Sequence, residues 1–433
     1  MQRVDALSQS QKGTIFQFAS AFCAAVFVVI LVLFLLSTAK TASVPKSSVV
    51  AFVDGNLDDL YALQYLLRRG DVNLQMVVVT GVGRTHLSGA FQNVVNFLAL
   101  TALFGGAGPV GRLRVGVGNV YSIRDQGNAT CRDGRPWLDG PRLLQADAIY
   151  GASAVLRQAL SGARTPTDIP PSNLAGPPLP FEQPLSDLLT ASPDQSVTFV
   201  CLAPLTDVAT FLLTRPQLVK KLIRVVMSGG TLSAGDVSLL TRVAKNTVSE
   251  ANFFWDADAA RTVTYDLALP TLITLLEARM KLSLSSSTVW APLAALLPSV
   301  TPKYPAAYFV NSAADPAARS GRPLSMLHVT AAMADAVRRN PTAASNPAVQ
   351  SIGDVVTAAL AVDWRVRGTA QINQGRLTVV VAPDDWTVTG RLGKAANVST
   401  TSNDADMDRV VLDVDAGLIW AQWVSIIGLP FAG

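Results

Sequence analysis

Histidine is almost absent: the chain has two, His86 and His328, in 433 residues. A zinc site built on several imidazoles is therefore excluded. The three cysteines, Cys23, Cys131 and Cys201, show no C-x-x-C spacing, which argues against a thiolate metal cluster. A Cys131–Cys201 disulfide stays open, with nothing in the pattern requiring it. Charged residues make up only 15% of the chain, and the net charge of +4 is spread thinly. No basic stripe is interleaved with aromatics, so nucleic acid is not an expected partner. No internal repeat is present, which excludes a solenoid.

What the chain has in abundance is apolar residues, 49% of the total, enough for a large core. The longest uncharged run is IFQFASAFCAAVFVVILVLFLL, Ile15 to Leu36, at 22 residues. That length spans a bilayer as a helix and exceeds the ~7–15 apolar residues of a cleaved signal. Ser37-Thr38-Ala39 nevertheless resembles a cleavage site, so a signal peptide is the rival reading. The expected layout is a tail at 1–14, a signal-anchor helix at 15–36, a linker at 37–47 and one domain at 48–433. The lipid bilayer is then a partner, and the large domain is expected on the luminal or extracellular side. Asn128-Ala-Thr and Asn397-Val-Ser match the glycosylation pattern suited to that side.

The organising stretch is Val49 to Gly70, VVAFVDGNLDDLYALQYLLRRG. Val49 to Val53 reads as a buried strand. Asp54-Gly55-Asn56 breaks it. A helix follows, with Leu60, Leu63 and Leu67 on one face and Gly70 as a stop signal. Asp54, Asp58 and Asp59 thus gather at the carboxyl end of a strand, where open α/β sheets bind ligands. Hard oxygen ligands on a tight loop suit Ca²⁺ or Mg²⁺. The plainer reading is an acidic helix start, favoured by the helix dipole.

Further strands are expected at Leu74–Gly81, Arg114–Val117, Val197–Leu202, Leu222–Met227 and Thr271–Leu276. Helices are expected at Leu87–Leu103, Ser186–Ala191, Thr206–Leu213, Asp256–Asp266 and Ala416–Ile427. The proline-rich Thr165–Pro184 reads as an insertion, and Thr288–Ala361 as alanine-rich and mostly helical. LTVVVAP and RVVLDVD read as late strands. Strands alternating with helices imply a mainly parallel sheet with right-handed crossovers.

With these segments in place, four motifs resemble those of the inosine–uridine-preferring nucleoside hydrolases. Phe52-Val53-Asp54-Gly55-Asn56-Leu57-Asp58-Asp59 is similar to that family's opening D-x-D-P-G-x-D-D. Ala203-Pro204-Leu205-Thr206-Asp207 is similar to its G-P-L-T-N. Val225 to Gly230 is similar to V-x-M-G-G-G. Ser249 to Ala260 is similar to A-E-F-N-x-x-x-D-P-E-A-A. The resemblance runs from about Val49 to the end. It implies an open, mainly parallel sheet flanked by helices, cleavage of a ribonucleoside's N-glycosidic bond, and Ca²⁺ holding the attacking water. By that resemblance Asp54 is metal ligand and catalytic base, Asp59 a bidentate ligand, and the Thr206 carbonyl a further ligand. Asp58 and Asn252 would bind ribose hydroxyls, Glu250 the far edge of the sugar, and Met227 would pack near it.

Three positions depart from the family pattern. Phe52 replaces its first aspartate. Val82-Gly83-Arg84 replaces an A-G-N, bringing a cation toward the loop. The family's late His-Asp pair, whose Asp completes the metal site, is best matched by His328-Val329, and valine cannot ligate a cation. His328 is then either a packed helix residue or a group facing the leaving base. The reading is a membrane-anchored nucleoside hydrolase with an incomplete Ca²⁺ site. The alternative is a weak or inactive relative that binds a ligand or partner. Assembly into a homo-oligomer is left open.

Overall fold

The computed structural model describes residues 46–83, 85–105, 110–123, 178–231, 249–267, 269–284, 286, 289–291, 351–375, 377–379, 392–394 and 408–428. The expectations for residues 15–36, Arg84, Asn128, Cys131, His328, Val329 and Asn397 lie outside them. No helix among the described residues is long and apolar enough to cross a membrane.

Strand β1, Ser47–Val53, sits in the middle of a nine-stranded sheet. The others in chain order are β2 (Val72–Val79), β3 (Arg114–Val117), β4 (Leu179–Pro180), β5 (Val197–Cys201), β6 (Leu222–Ser228) and β7 (Thr271–Thr274). Four late strands follow: β8 (Gln371–Gly375), β9 (Leu377–Val379), β10 (Leu392–Lys394) and β11 (Asp408–Asp413). The spatial order is β4-β3-β2-β1-β5-β6-β7-β11-β8, and β9 pairs with β10 in a separate hairpin. Every pairing in the large sheet is parallel except that of β8 with β11. The chain runs outward from β1 to β4, then returns to lay β5 against the other side of β1. That reversal is a topological switch point, and it opens a crevice at the strands' carboxyl ends.

Helices cover both faces, so the central strands are apolar without alternation. In β1 the side chains of Val49, Ala51 and Val53 enter one core layer while Val50 and Phe52 enter the other. The first layer is closed by α1 (Leu57–Arg68), α2 (Leu87–Gly105) and two late helices, α8 (Asp354–Val362) and α10 (Ala416–Gly428). The second is closed by α3 (Glu182–Ala191), α4 (Thr206–Thr214) and α6 (Ala257–Arg261), the last preceded by α5 (Ala251–Trp255). Two short helices, α7 (Leu276–Arg279) and α9 (Trp364–Thr369), complete the set named here. Leu60, Leu63 and Leu67 are buried as their spacing predicts, each stabilising the fold by roughly 1.5–3 kcal/mol. Phe52 packs edge-on against Phe199 and Phe181, so the family's first aspartate is exchanged here for core packing.

Several expected elements differ in extent: the helix expected from Ser186 begins at Glu182, and Leu179–Pro180 of the segment read as an insertion joins the sheet. The segment Asp256–Asp266 is not one regular helix. Asp256 is non-helical and caps α6 by accepting from Ala259 N at 3.0 Å, and a π turn, Thr262–Asp266, follows α6. The strand expected over Thr271–Leu276 stops at Thr274, because Leu276 already begins α7. The Cys201 sulfur is a buried free thiol in β5, so the disulfide left open above is not formed.

Candidate active site

The carboxyl ends of β1, β5 and β6 converge on one cleft. Asp54, Asp58, Glu250, Asn252, Arg279 and Asp354 line it. Each arrives there for a local reason.

Asp54 follows the last residue of β1 and is 3% exposed. Its Oδ1 accepts from Asn56 Nδ2 at 2.5 Å. Gly83 crosses against its other oxygen with φ +146°, a conformation that strains any side chain, and a Cβ there would collide with the carboxylate. Gly55, at φ +73°, turns the chain sharply, with room for no Cβ against Ala90. The turn delivers Asp58 and Asp59 on the first turn of α1.

Asp59 performs two tasks. Its Oδ2 accepts from the backbone N–H groups of Asp54 at 3.1 Å and Asn56 at 3.0 Å, closing the helix start. Its Oδ1 is buried without a hydrogen-bond partner. The plain helix-start reading is therefore correct for one oxygen and leaves the other unexplained. A buried carboxylate oxygen without a donor is costly unless a cation meets it.

The fourth carboxylate comes from the late part of the chain. Asp354 opens α8, which packs along α1. Its Oδ1 accepts from Ser228 Oγ at 2.6 Å, at the end of β6. Ligand oxygens of Asp58, Asp59 and Asp354 lie within 4.8 Å of one another. Two like charges ~5 Å apart repel by roughly 3 kcal/mol at an effective dielectric of about 20. Accordingly Asp59 is pushed well above the usual carboxylate range by burial and by Asp54, Asp354 and Asp58. Asp354 is raised in the same way, by burial and Asp58, against the opposing pull of Arg279.

Asp354 is a carboxylate of this cluster that the match to His328-Val329 does not include. The signal in the sequence is an aspartate heading the apolar helical run DVVTAALAV.

Glu250 and Asn252 come from the start of α5. Asn252 Nδ2 donates to the carbonyls of Leu202 at 2.8 Å and Ser228 at 3.1 Å, tying together the ends of β5 and β6. Glu250 is 3% exposed and bonded to Arg279 on α7 at 2.5 Å. Burial opposes the Arg279 charge, but Glu250 and Asp354 outweigh it and hold the guanidinium firmly protonated.

Two expected site residues are not brought to the cleft. Thr206 is fully buried at the start of α4, where its hydroxyl donates to Asp256 Oδ2 at 2.6 Å. The residue of that segment lining the cleft is Leu202, at the strand end, because the chain has already turned away by Thr206. Met227 points into the second core layer, since alternation along β6 sends Ser228 rather than Met227 toward Asp354.

The sequence matches the profile described as "Inosine-uridine preferring nucleoside hydrolase" across residues 49–421. The chain belongs to that family. Comparison with curated proteins gives no match. Among solved structures, an inosine-uridine preferring nucleoside hydrolase from Bacillus anthracis is similar, with a TM-score of 0.57 and 17% identity over 88% of this chain and 99% of that one. A purine-preferring ribonucleoside hydrolase from Gardnerella vaginalis gives 0.58 at 18% identity, covering 88% and 98%. A plant nucleoside hydrolase gives 0.60 at 17%, covering 90% and 100%. At such identities these likenesses establish the nucleoside hydrolase fold. Within that fold, the acidic cluster lies at the switch point.

Proposed function

We infer that this nucleoside hydrolase family member cleaves the bond between sugar and base of a ribonucleoside, with a divalent cation, Ca²⁺, as cofactor. The observation carrying this reading is the clustering of Asp58, Asp59 and Asp354, with ligand oxygens within 4.8 Å of one another, next to Asp54 on the same turn, together with a buried Asp59 Oδ1 that has no hydrogen-bond partner. Four carboxylates, Asp54, Asp58, Glu250 and Asp354, meet a single cationic side chain, Arg279, among the described residues lining the cleft, and Asp59 lies beside Asp58 and Asp354. That donor set fits a hard dication. Asp54, Asp59, Asp354 and the Leu202 carbonyl would hold it, with Leu202 replacing Thr206 in the expected set. Such a cation lowers the pKa of bound water and so supplies a nucleophile at neutral pH.

The protein's own groups supply the rest. Asp54, fixed by Asn56 and Gly83, is the base that removes the water's proton. Asp58 and Asn252 hold the sugar hydroxyls. The surplus of carboxylates favours the positive charge that develops on the ring as the base leaves. Met227 supports this surface only through the core.

A second reading, a binding module without turnover, is favoured by the lining: no titratable acid other than the carboxylates lines the described part of the cleft. The deciding experiment is a Ca²⁺ titration of the purified domain followed by inosine and uridine hydrolysis assays. Hydrolysis abolished by chelation and restored by Ca²⁺ supports the enzyme. Saturable nucleoside binding with no release of base supports the module.

In the same reading residues 15–36 anchor the chain in a bilayer, with the domain on the luminal or extracellular side. Retention in the membrane pellet after carbonate washing is the expected result; release of a chain beginning near Lys40 would sink it.

A further inference from the structure

Arg224, Arg367 and Arg409 gather at the edge of the sheet opposite the cleft, and the proposed reaction uses none of them. Arg224 lies near the amino end of β6 and Arg409 near the amino end of β11, with β7 between those strands. Register sets Val225 beside Thr271 and Arg409 beside Leu272, so the two arginines flank the start of β7. Strands two places apart are separated by ~10 Å, a gap that two long side chains narrow from both sides.

Both arginines also face the same way. Val226 of β6 and Val411 of β11 enter the first core layer, and alternation puts Arg224 and Arg409 on that side. An irregularity in β6 helps. Val197 pairs with Leu222 and Thr198 with Arg224, so Ile223 is an extra residue. Leu222 therefore enters the second layer, while Arg224 is re-aimed toward the first. Arg367 comes to the same side from α9, whose Val366 is in the first layer. Its Nη1 donates to the carbonyls of Leu360 at 3.0 Å and Ala361 at 2.8 Å, which fixes the guanidinium against the end of α8.

Charge at this edge is unbalanced. Arg224 is partly buried, and burial and then Arg409 lower its pKa. Burial and then Arg224 lower that of Arg367. Among the described residues, no hydrogen bond or ion pair joins Arg224 or Arg409 to an acid. Asp363 pulls on Arg367, but its carboxylate already accepts from Arg69 Nη1 at 2.7 Å and Arg365 N at 2.8 Å. A partly buried charge beside its like is costly until a counter-ion joins it.

We propose that Arg224, Arg367 and Arg409 form a binding site for a phosphate group, separate from the acidic cleft. Guanidinium forks match phosphate oxygens and hold them in pairs. A phosphate offers up to three charged acceptor oxygens to three guanidiniums, where a carboxylate offers two. The group can arrive on a soluble phosphate or on a lipid headgroup. Trp364, 71% exposed and three residues before Arg367 on α9, sets an aromatic ring beside the site. The strand β1 also starts on this edge, a short linker after the apolar run 15–36.

The test is calorimetric titration of the whole chain, in uncharged detergent, with inorganic phosphate and with dihexanoylphosphatidylglycerol. It uses neither nucleoside nor Ca²⁺, so its outcome is independent of the reaction at the cleft. At least one probe should bind saturably. Arg224→Met and Arg409→Met should each weaken that binding about tenfold or more. Arg261→Met, which removes an exposed arginine paired with Asp266, should change it less than about twofold. A soluble source predicts tighter binding of inorganic phosphate and no effect of Trp364→Ala. A lipid source predicts tighter binding of the lipid and a loss of about tenfold in Trp364→Ala. Binding of neither probe, or binding that survives both arginine substitutions, overturns the proposal. Melting supplies a second readout. The bound probe should raise the melting temperature of wild type and not that of Arg224→Met; an equal rise in both would put the phosphate elsewhere and overturn the proposal. If Arg224→Met does not fold, Arg409→Met, at an exposed position, decides the matter.

Discussion

Asp59 and Asp354 bring carboxylate oxygens within 4.8 Å of each other from α1 and α8, helices far apart in the chain. Each is raised by burial and by its acidic neighbours, so without a cation the pair resists ionising. Asp354→Asn should therefore weaken Ca²⁺ binding by roughly a hundredfold, through loss of one charged ligand. Val329→Asp, the repair suggested by the sequence match, should leave affinity unchanged. Calorimetric titration of both variants checks this; an unaltered Asp354→Asn would remove Asp354 from the cation site.

The same shifts set the pH dependence of Ca²⁺ binding. The cation competes with protons that Asp59 and Asp354 retain above the ordinary carboxylate pKa of 3.8. Affinity should rise with pH through the raised pKa values, and binding should release protons. Titrations in buffers of different ionisation enthalpy measure that release. A heat independent of the buffer would contradict it.

Asp207 gives a separate pH signature. It is buried behind Gly118, with Oδ1 accepting from Asn119 N at 2.7 Å and Nδ2 at 2.6 Å, and Oδ2 without a partner. Burial pushes its carboxyl from 3.8 up to about 6. Between these values the folded state holds the proton that the unfolded chain has lost, so stability falls as pH rises through this window. The loss is of order 2–3 kcal/mol. Asp207→Asn should abolish that slope and raise stability at pH 7, as urea unfolding at a series of pH values would reveal.

Gly83→Ala places a methyl group against Asp54 at φ +146°. The strain should cost about 1–3 kcal/mol and displace Asp54, the base of the proposed reaction. Hydrolysis should fall far more than the melting temperature. Gly70→Ala, with nothing within 4 Å of its new Cβ, is the control and should change neither.

Trp423 on α10 is fully buried against Tyr61 of α1, ring centroids 5.2 Å apart, and its Nε1–H has no partner. Trp423→Ala should cost about 3–5 kcal/mol. Trp423→Phe should cost much less, because it keeps most of the packing and removes a buried unmet donor. Equal losses for the two would show that the indole N–H is satisfied in solution.

Much of the fold was legible because its signals are local. The apolar run of β1, its break at Asp54-Gly55-Asn56 and the leucine spacing of α1 depend only on residues a few positions apart. Arg114–Val117 was expected with the bounds observed. Boundaries failed where one side chain ended an element, as Asp256 does by capping α6.

The sequence by itself determined that strands and helices alternate, and that Asp54, Asp58 and Asp59 share one strand–helix turn. A period of two or of 3.6 residues is written in the chain, and a tight turn delivers neighbours together whatever surrounds them. Only the tertiary structure decided that Asp354 joins them, that Leu202 rather than Thr206 lines the cleft, and that Arg279 occupies the acceptor Glu250. These depend on α8 lying along α1 and on α7 closing over Gly353. Packing of distant segments sets such contacts, and no spacing within any one segment encodes them.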